Sequence, residues 1–291
     1  MTITTSSTPE RVLPARSGLR VATGTVTPVV APMAQVTRCR RATMAQQSCA
    51  REVRRGTQPA DCMSCRLRDF GLTVGLSEAE LDQLDDAVTT RRRVERGAAL
   101  YTAGQPLRHV YAIRLGTFKT CLHTPDGREQ VTGFQLQGEL LGLDAVGAGR
   151  YLTDAIALED SDVWAIGYAD LIGLGERFPR VSHNLQKLLS REVAAAQTAM
   201  LVLGRMTAEE KIAAFLLDLS RRYASLGWSA TEFVLRMSRD DMANCLGIKI
   251  ETVSRMLGRL QERGLIQVKQ RDVRLLDPCG LERVFDESVT C

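Results

Sequence analysis

The residues of this 291-residue sequence best suited to reading base edges are a glutamate, a serine and two arginines within a stretch of fourteen, GIKIETVSRMLGRL, beginning at Gly247. At helical spacing Glu251, Ser254, Arg255 and Arg259 fall on one side, together with Gly258. An arginine can be bidentate to a guanine edge, a glutamate can accept from a cytosine amino group, and a serine can touch thymine. Ile250, Val253, Leu257 and Leu260 recur on the other side and predict a single buried stripe. Lys249, just ahead of the helix, can offer its ammonium to a phosphate.

A second chemistry lies in thiols. Cys62-Met63-Ser64-Cys65 places two sulfurs on one tight turn, which suits half of a 4Fe-4S iron–sulfur cluster, a zinc half-site or a dithiol switch. A complete cluster needs four ligands, and the other thiols among which they would be sought include Cys39, Cys49 and Cys121. Cys245, Cys279 and Cys291 are scattered, as small buried or surface residues are. Eight cysteines without a secretory signal predict a reducing, cytoplasmic setting. Nothing in the sequence pairs a nucleophile with a base, forms a phosphate loop or brings two carboxylates together, and His109, His123 and His183 are the only imidazoles. The sequence is therefore not that of an enzyme.

These groups need elements to hold them. Ser238 can cap a helix with Asp240 and Asp241 in its opening turn, and Gly247 should end it before the helix that carries Glu251 and Arg255 begins. After Gly264, residues 265–269 and 273–276 read as a hairpin turning near residues 270–272, with Lys269, Arg271 and Arg274 able to reach phosphates. Two short helices joined by a glycine turn also occur as ordinary core hairpins. Capping boxes at Ser77 and Thr207 open two further helices, the second with Ile212, Phe215, Leu216, Leu219 and Tyr223 on its core side. Between them short runs at 99–101, 109–113, 117–122 and 130–134, punctuated by Gly116 and Gly127, predict an antiparallel roll. From 181 to 203, Leu185, Leu188, Leu189, Val193, Ala196, Met200 and Leu203 alternate at spacings of three and four, as in a coiled-coil seam, and predict a homodimer helix. The first sixty residues hold nine arginines against Glu10 and Glu52 alone, without sustained periodicity, and read as a disordered basic tail. No run is apolar enough to span a membrane, and a net charge of +4 is too small to identify a polyanion partner by itself.

The stretch from Gly247 to Leu260 resembles the recognition helix of CRP/FNR transcription regulators, and the likeness extends over roughly residues 62–285. Glu251, Ser254 and Arg255 match the FNR triplet. The resemblance implies an α+β chain: a basic tail over 1–60, a double-stranded β-helix like cyclic-nucleotide-binding rolls over 61–180 with a cysteine cap, a dimerisation helix over 181–206, and a winged helix-turn-helix over 207–291. It further implies double-stranded DNA as partner through TTGAT-like palindromes, RNA polymerase as a second partner, and control by oxygen, nitric oxide or redox state. In that family three N-terminal cysteines and one from the roll bind a 4Fe-4S cluster. Here Gly71 and Trp164 stand at two of those positions, leaving Cys62 and Cys65 with Cys49 and Cys121 as candidate ligands. Lys249 stands where the family has a Ser or Thr cap. Ala196 stands where an acid opposes dimerisation, which implies pairing without metal. For a cyclic nucleotide, Leu143 replaces the ribose-binding acid, and Leu152-Thr153-Asp154-Ala155 replaces Arg-Ser-Ala, although Arg150 is close by. An iron–sulfur or thiol redox protein, or a cyclic-nucleotide-responsive regulator, are the alternative functions.

Overall fold

Ser77 and Glu80 satisfy each other's backbone at the start of α1 (Glu78–Asp86): the Ser77 amide donates to Glu80 Oε2 at 2.6 Å and the Glu80 amide to Ser77 Oγ at 3.4 Å. The computed structural model describes residues 71–285, and over them the chain has the expected α+β class. After α1 it enters a roll of two antiparallel sheets. One contains β1 (Val88–Val94), β8 (Ser161–Gly167), β3 (His109–Leu115) and β6 (Leu140–Leu141), in that order. The other contains β2 (Ala99–Tyr101), β7 (Asp154–Ala157), β4 (Phe118–His123) and β5 (Glu129–Gln135), so β5 lies at an edge.

Phe118, Ile113, Ala155 and Val163 close the space between the sheets, and Tyr101, Tyr111 and Tyr151 fill the rest. The rings of Tyr101 and Tyr151 stack 3.9 Å apart and those of Tyr101 and Tyr111 5.8 Å apart. At the β3–β4 turn Gly116 adopts φ 102°, and a Cβ there would run into the Ser161 side chain, so only glycine fits on both counts.

From the roll the chain passes through α2 (Tyr168–Arg177) into α3 (Pro179–Arg205), whose proline occupies the first turn, where a missing amide hydrogen costs nothing. Its 27 residues span about 40 Å. Val181 and Leu185 are buried against the roll, and Asn184 donates to the Leu72 and Val74 carbonyls at 2.9 Å each, which fastens the start of the described chain to this helix. From Arg191 to Leu201 the helix is exposed, Val193 at 59% and Met200 at 72%; near its end Val202 packs against a hydrophobic core while Leu203 stays exposed.

The remaining helices are α4 (Ala208–Ser225), α5 (Arg239–Leu246), α6 (Ile250–Glu262) and the short α7 (Pro278–Glu282). A three-stranded sheet ordered β10-β11-β9 accompanies them, built from β9 (Glu232–Val234), β10 (Ile266–Lys269) and β11 (Asp272–Leu275). The expected hairpin is β10 and β11; β9, which pairs with β11, extends it. Ile212, Leu216, Leu219, Met242, Val253, Leu260 and Ile266 form the centre of this part. That core continues without a break into Cys121, Val131, Phe134 and Leu136 of the roll. None of the described helices is long and apolar enough to cross a membrane.

Candidate nucleic-acid interface

Two turns set the reading head. Ser238 caps α5 in a reciprocal box with Asp241: the Asp241 amide donates to Ser238 Oγ at 3.0 Å, and the Ser238 amide to Asp241 Oδ2 at 3.0 Å. Gly247 then ends the helix in the left-handed region at φ 60°, where a Cβ would be strained. The Ile248 amide returns to the Ala243 carbonyl at 3.0 Å, and α6 begins two residues later. Lys249 is its N-cap and makes no side-chain capping bond, as the sequence predicts.

Along α6, Val253, Leu257 and Leu260 are buried, but Ile250 is 40% exposed, which corrects the expected four-residue stripe. The physical reason is position: Ile250 is the first residue of α6 and lies outside the core that takes Val253, Leu257 and Leu260. Periodicity defines a face but not where along that face the core ends.

Lys249, Glu251, Ser254, Arg255 and Arg259 are all exposed. Among the described residues Arg255 meets only the Thr252 hydroxyl, at 3.3 Å, and Ser254 Oγ donates back to the Ile250 carbonyl at 3.4 Å. A planar guanidinium so placed is free to turn toward a ligand edge. Arg259 differs: it lies 3.7 Å from Glu209 of α4, which also pairs with Arg263 at 2.5 Å. Its charge is thus partly used within the protein.

In the wing, Gln270 turns the hairpin at φ 53°, the one described non-glycine residue with positive φ. Lys269 and Arg271 are exposed, whereas Arg274 pairs with Glu232 at 2.7 Å. Arg239, which sequence reasoning missed, reaches from the opening turn of α5 to the Gln270 carbonyl at 3.0 Å. Burial first, and then the neighbouring Arg271 charge, hold its guanidinium below the ordinary arginine range. The signal that could have found it is Arg239 directly after the cap Ser238, where a helix crossing a phosphate backbone begins.

The roll answers two other expectations. Where a nucleotide phosphate would need backbone amides, Asp144 Oδ2 already accepts from the amides of Leu152 and Thr153 at 3.1 Å each and from Thr153 Oγ at 3.0 Å. Leu143 is buried, the tyrosine stack fills the interior behind, and Asp154 is engaged by His123 at 3.1 Å and by the Ala103 amide at 2.7 Å. The roll is its own filling, and Arg150 lies exposed outside it.

Cys39, Cys49, Cys62 and Cys65 lie outside the described residues. Cys121 is fully buried on β4, and its thiol donates to Glu129 Oε1 at 3.3 Å. Burial, and then the Glu129 carboxylate, push the thiol up to about 12. A metal ligand must be a thiolate, so Cys121 would have to give up its proton and its Glu129 bond to take a fourth cluster position. Trp164, at the place of the family's roll ligand, is half-buried against the core around Leu72 and Leu84. Among the described residues no group of three His, Cys, Asp or Glu side chains could hold a metal ion.

Comparison with known proteins follows this division. A family model described as a Crp-like helix-turn-helix domain matches residues 210–284, and one described as a cyclic nucleotide-binding domain matches residues 91–178. The transcriptional regulatory protein btr of Bordetella pertussis is 42% identical over 228 residues, covering 78% of this chain and 94% of that protein. The fumarate and nitrate reduction regulatory protein of Escherichia coli is 39% identical over 225 residues, covering 77% and 90%. The solved structure of FixK2 from Bradyrhizobium japonicum superposes with a TM-score of 0.61 at 29% identity, over 67% of this chain and 96% of that one.

Proposed function

The chain belongs to the CRP/FNR family of transcription regulators, and on that premise we propose that it works as a homodimer, seating one α6 in each half of a TTGAT-like palindrome and controlling transcription in response to oxygen, nitric oxide or redox state. The observation that carries the reading is the exposed face of α6. Glu251, Ser254 and Arg255 stand together there, Arg255 without an acidic partner among the described residues, on a helix whose opposite side is locked by Val253, Leu257 and Leu260. Arg255 takes a guanine, Glu251 a cytosine amino group and Ser254 a thymine. Lys249, Lys269, Arg271 and Arg239 are placed for backbone phosphates, with Arg259 a weaker member because Glu209 competes for it.

Pairing is assigned to α3. An apolar stripe running through Val193, Met200 and Leu203 on a helix this long is covered by a second copy of itself, with Ala194, Ala195 and Ala196 permitting close approach. Two-fold pairing matches a palindrome whose half sites lie about one helical turn apart. RNA polymerase is the second macromolecular partner and the cytoplasm the setting; the protein binds rather than turns over a substrate.

The signal is assigned to Cys62 and Cys65. A 4Fe-4S cluster would supply oxygen- and nitric-oxide-sensitive iron there; Gly71 and Trp164 carry no thiol, so Cys49 and Cys121 are the residues that would have to complete it. Zinc or a dithiol–disulfide couple fits the pair equally well in charge. Freshly purified anaerobic protein, analysed for metal and by visible absorbance and titrated with a TTGAT palindrome and a scrambled duplex, tests both parts. Preference for the palindrome is expected. Equal affinity for the two duplexes refutes sequence-specific reading, and absorbance and metal content that both survive Cys62→Ser with Cys65→Ser refute the cysteine assignment.

A further inference from the structure

The reading head is held by more than the chain that links it to the roll. β5 is an edge strand, and an edge strand leaves backbone groups open. Asn244 of α5 closes this one: its Oδ1 accepts from the Val131 amide at 2.6 Å and its Nδ2 donates to the Glu129 carbonyl at 2.9 Å, as a neighbouring strand would. Gln130 Nε2 completes the contact by donating to the Asn244 carbonyl at 2.8 Å. Next to it Lys119 of β4 bridges Glu129 at 2.8 Å and Asp241 at 2.9 Å, the same Asp241 that caps α5. At the far end of β5, Arg222 of α4 forms a fork on Glu139 at 2.9 and 2.7 Å and also donates to the Phe134 carbonyl. Between these polar ends Phe134 meets Phe215 edge to face at 5.9 Å, inside the core shared by the two parts.

These contacts use the side of α5 and α4 that faces away from the reading surface, since Lys249, Glu251, Ser254 and Arg255 all stay exposed while the contacts are made. We propose that Asn244, Arg222 and their roll partners are positioning residues for DNA recognition: they fix each α6 relative to the roll, so the paired protein measures the spacing between half sites. The inference rests on the dimeric DNA reading above. A head joined by a flexible linker tolerates altered spacing because the linker absorbs the difference. A clamped head cannot, because one extra base pair moves a half site by about 3.4 Å along the axis and turns it by about 35°.

The test uses the full chain and three duplexes: a palindrome at natural spacing, the same palindrome with one base pair inserted at its centre, and an isolated half site. Wild type should prefer natural over inserted spacing by about tenfold or more, the value of one good base contact. Asn244→Ala and Glu139→Gln, which loosen the clamp from opposite sides, should each bring that ratio down at least about threefold toward unity while leaving half-site affinity at the wild-type level. A merely structural role would lower all three affinities together and leave the ratio alone. An unchanged ratio in a folded variant overturns the proposal. Hydrogen exchange on the wild type tests the clamp without any variant: the Val131 amide should be strongly protected, and exchange at the rate of an open strand edge overturns the proposal even if both variants fail to fold. A wild type that ignores the palindrome but protects Val131 would remove the DNA reading and leave the clamp as a fact of the fold.

Discussion

Replacing Arg255 by alanine is the sharpest test of how this chain reads DNA. Its guanidinium is exposed, and among the described residues its sole hydrogen bond is to Thr252 and no acid pairs with it. Removing it should therefore change folding stability by no more than about 0.5 kcal/mol. A bidentate arginine–guanine contact discriminates by about 1–3 kcal/mol, and a two-fold dimer makes it twice, so a full palindrome should lose about 2–6 kcal/mol. At a factor of ten per 1.4 kcal/mol, that is roughly 30-fold to 10⁴-fold in affinity. Fluorescence anisotropy against the palindrome, against the same duplex with the contacted guanines replaced, and across a salt series separates base from backbone contacts. The loss should vanish on the guanine-replaced duplex, and the slope of log affinity against log salt should stay as in wild type. A phosphate contact behaves differently, lowering affinity on every sequence and flattening the slope by about 0.9 per contact, or about 2 per dimer. Uniform weakening with a flatter slope would refute the assignment of Arg255 to a base edge.

Three further outcomes are expected. Val193→Glu with Met200→Glu places like charges on the exposed stripe of α3 and should give a folded monomer in sedimentation equilibrium; a persistent dimer would move the interface elsewhere. Cys121 and Cys245, their thiols pushed up by burial to about 12 and about 11, should resist alkylation at pH 8 in the native protein and react in urea, as peptide mass spectrometry would reveal. Burial would raise the Asp241 carboxyl, but hydrogen bonds from Ser238 and Lys119 outweigh it and hold the group below its usual 3.8. A depressed carboxyl contributes stability that is fully present above the unfolded value and is lost as pH falls through the folded one. The cap of α5 and its tie to Lys119 should thus be intact at pH 5, begin to lose their contribution as pH drops below 3.8, and lose it fully only past the still lower folded value. Asp241→Asn should flatten the acid limb of a thermal-denaturation series, and an unchanged limb would show that the carboxylate is not responsible.

Much of the fold is legible in the sequence where the determinants are local. Ser77, Thr207 and Ser238 each sit three residues ahead of an acid that answers them, so three helix starts can be read from spacing alone. Gly116, Gly127 and Gly247 mark turns because only their backbones reach positive φ there without strain. The strands at 99–101, 109–115, 118–123 and 129–135 follow from the same local signals. What is hidden depends on residues far apart in the chain. β1 contains three successive arginines and no alternation; it is held by β8, where Arg91 meets Asp162, 71 residues away. β9 is three residues long and gains its identity from pairing with β11. Asp144 filling the amide nest of Thr153 could not be foreseen from motif comparison, because the substitution is a geometric one. At the reading surface the residue types were legible, but the ties of Arg259 to Glu209 and of Arg274 to Glu232 were not, and these decide which cations are free to serve.

The fork between Arg222 and Glu139 also bears on how interchangeable the parts of such regulators are. A DNA-reading half grafted onto another roll would bring Arg222 and Asn244 to a surface that need not offer a carboxylate or an open strand edge, leaving a guanidinium and an amide without partners. Recombination between relatives should therefore succeed only when both sides of the seam travel together, and the two halves of the gene are expected to diverge as a matched set rather than as separable modules.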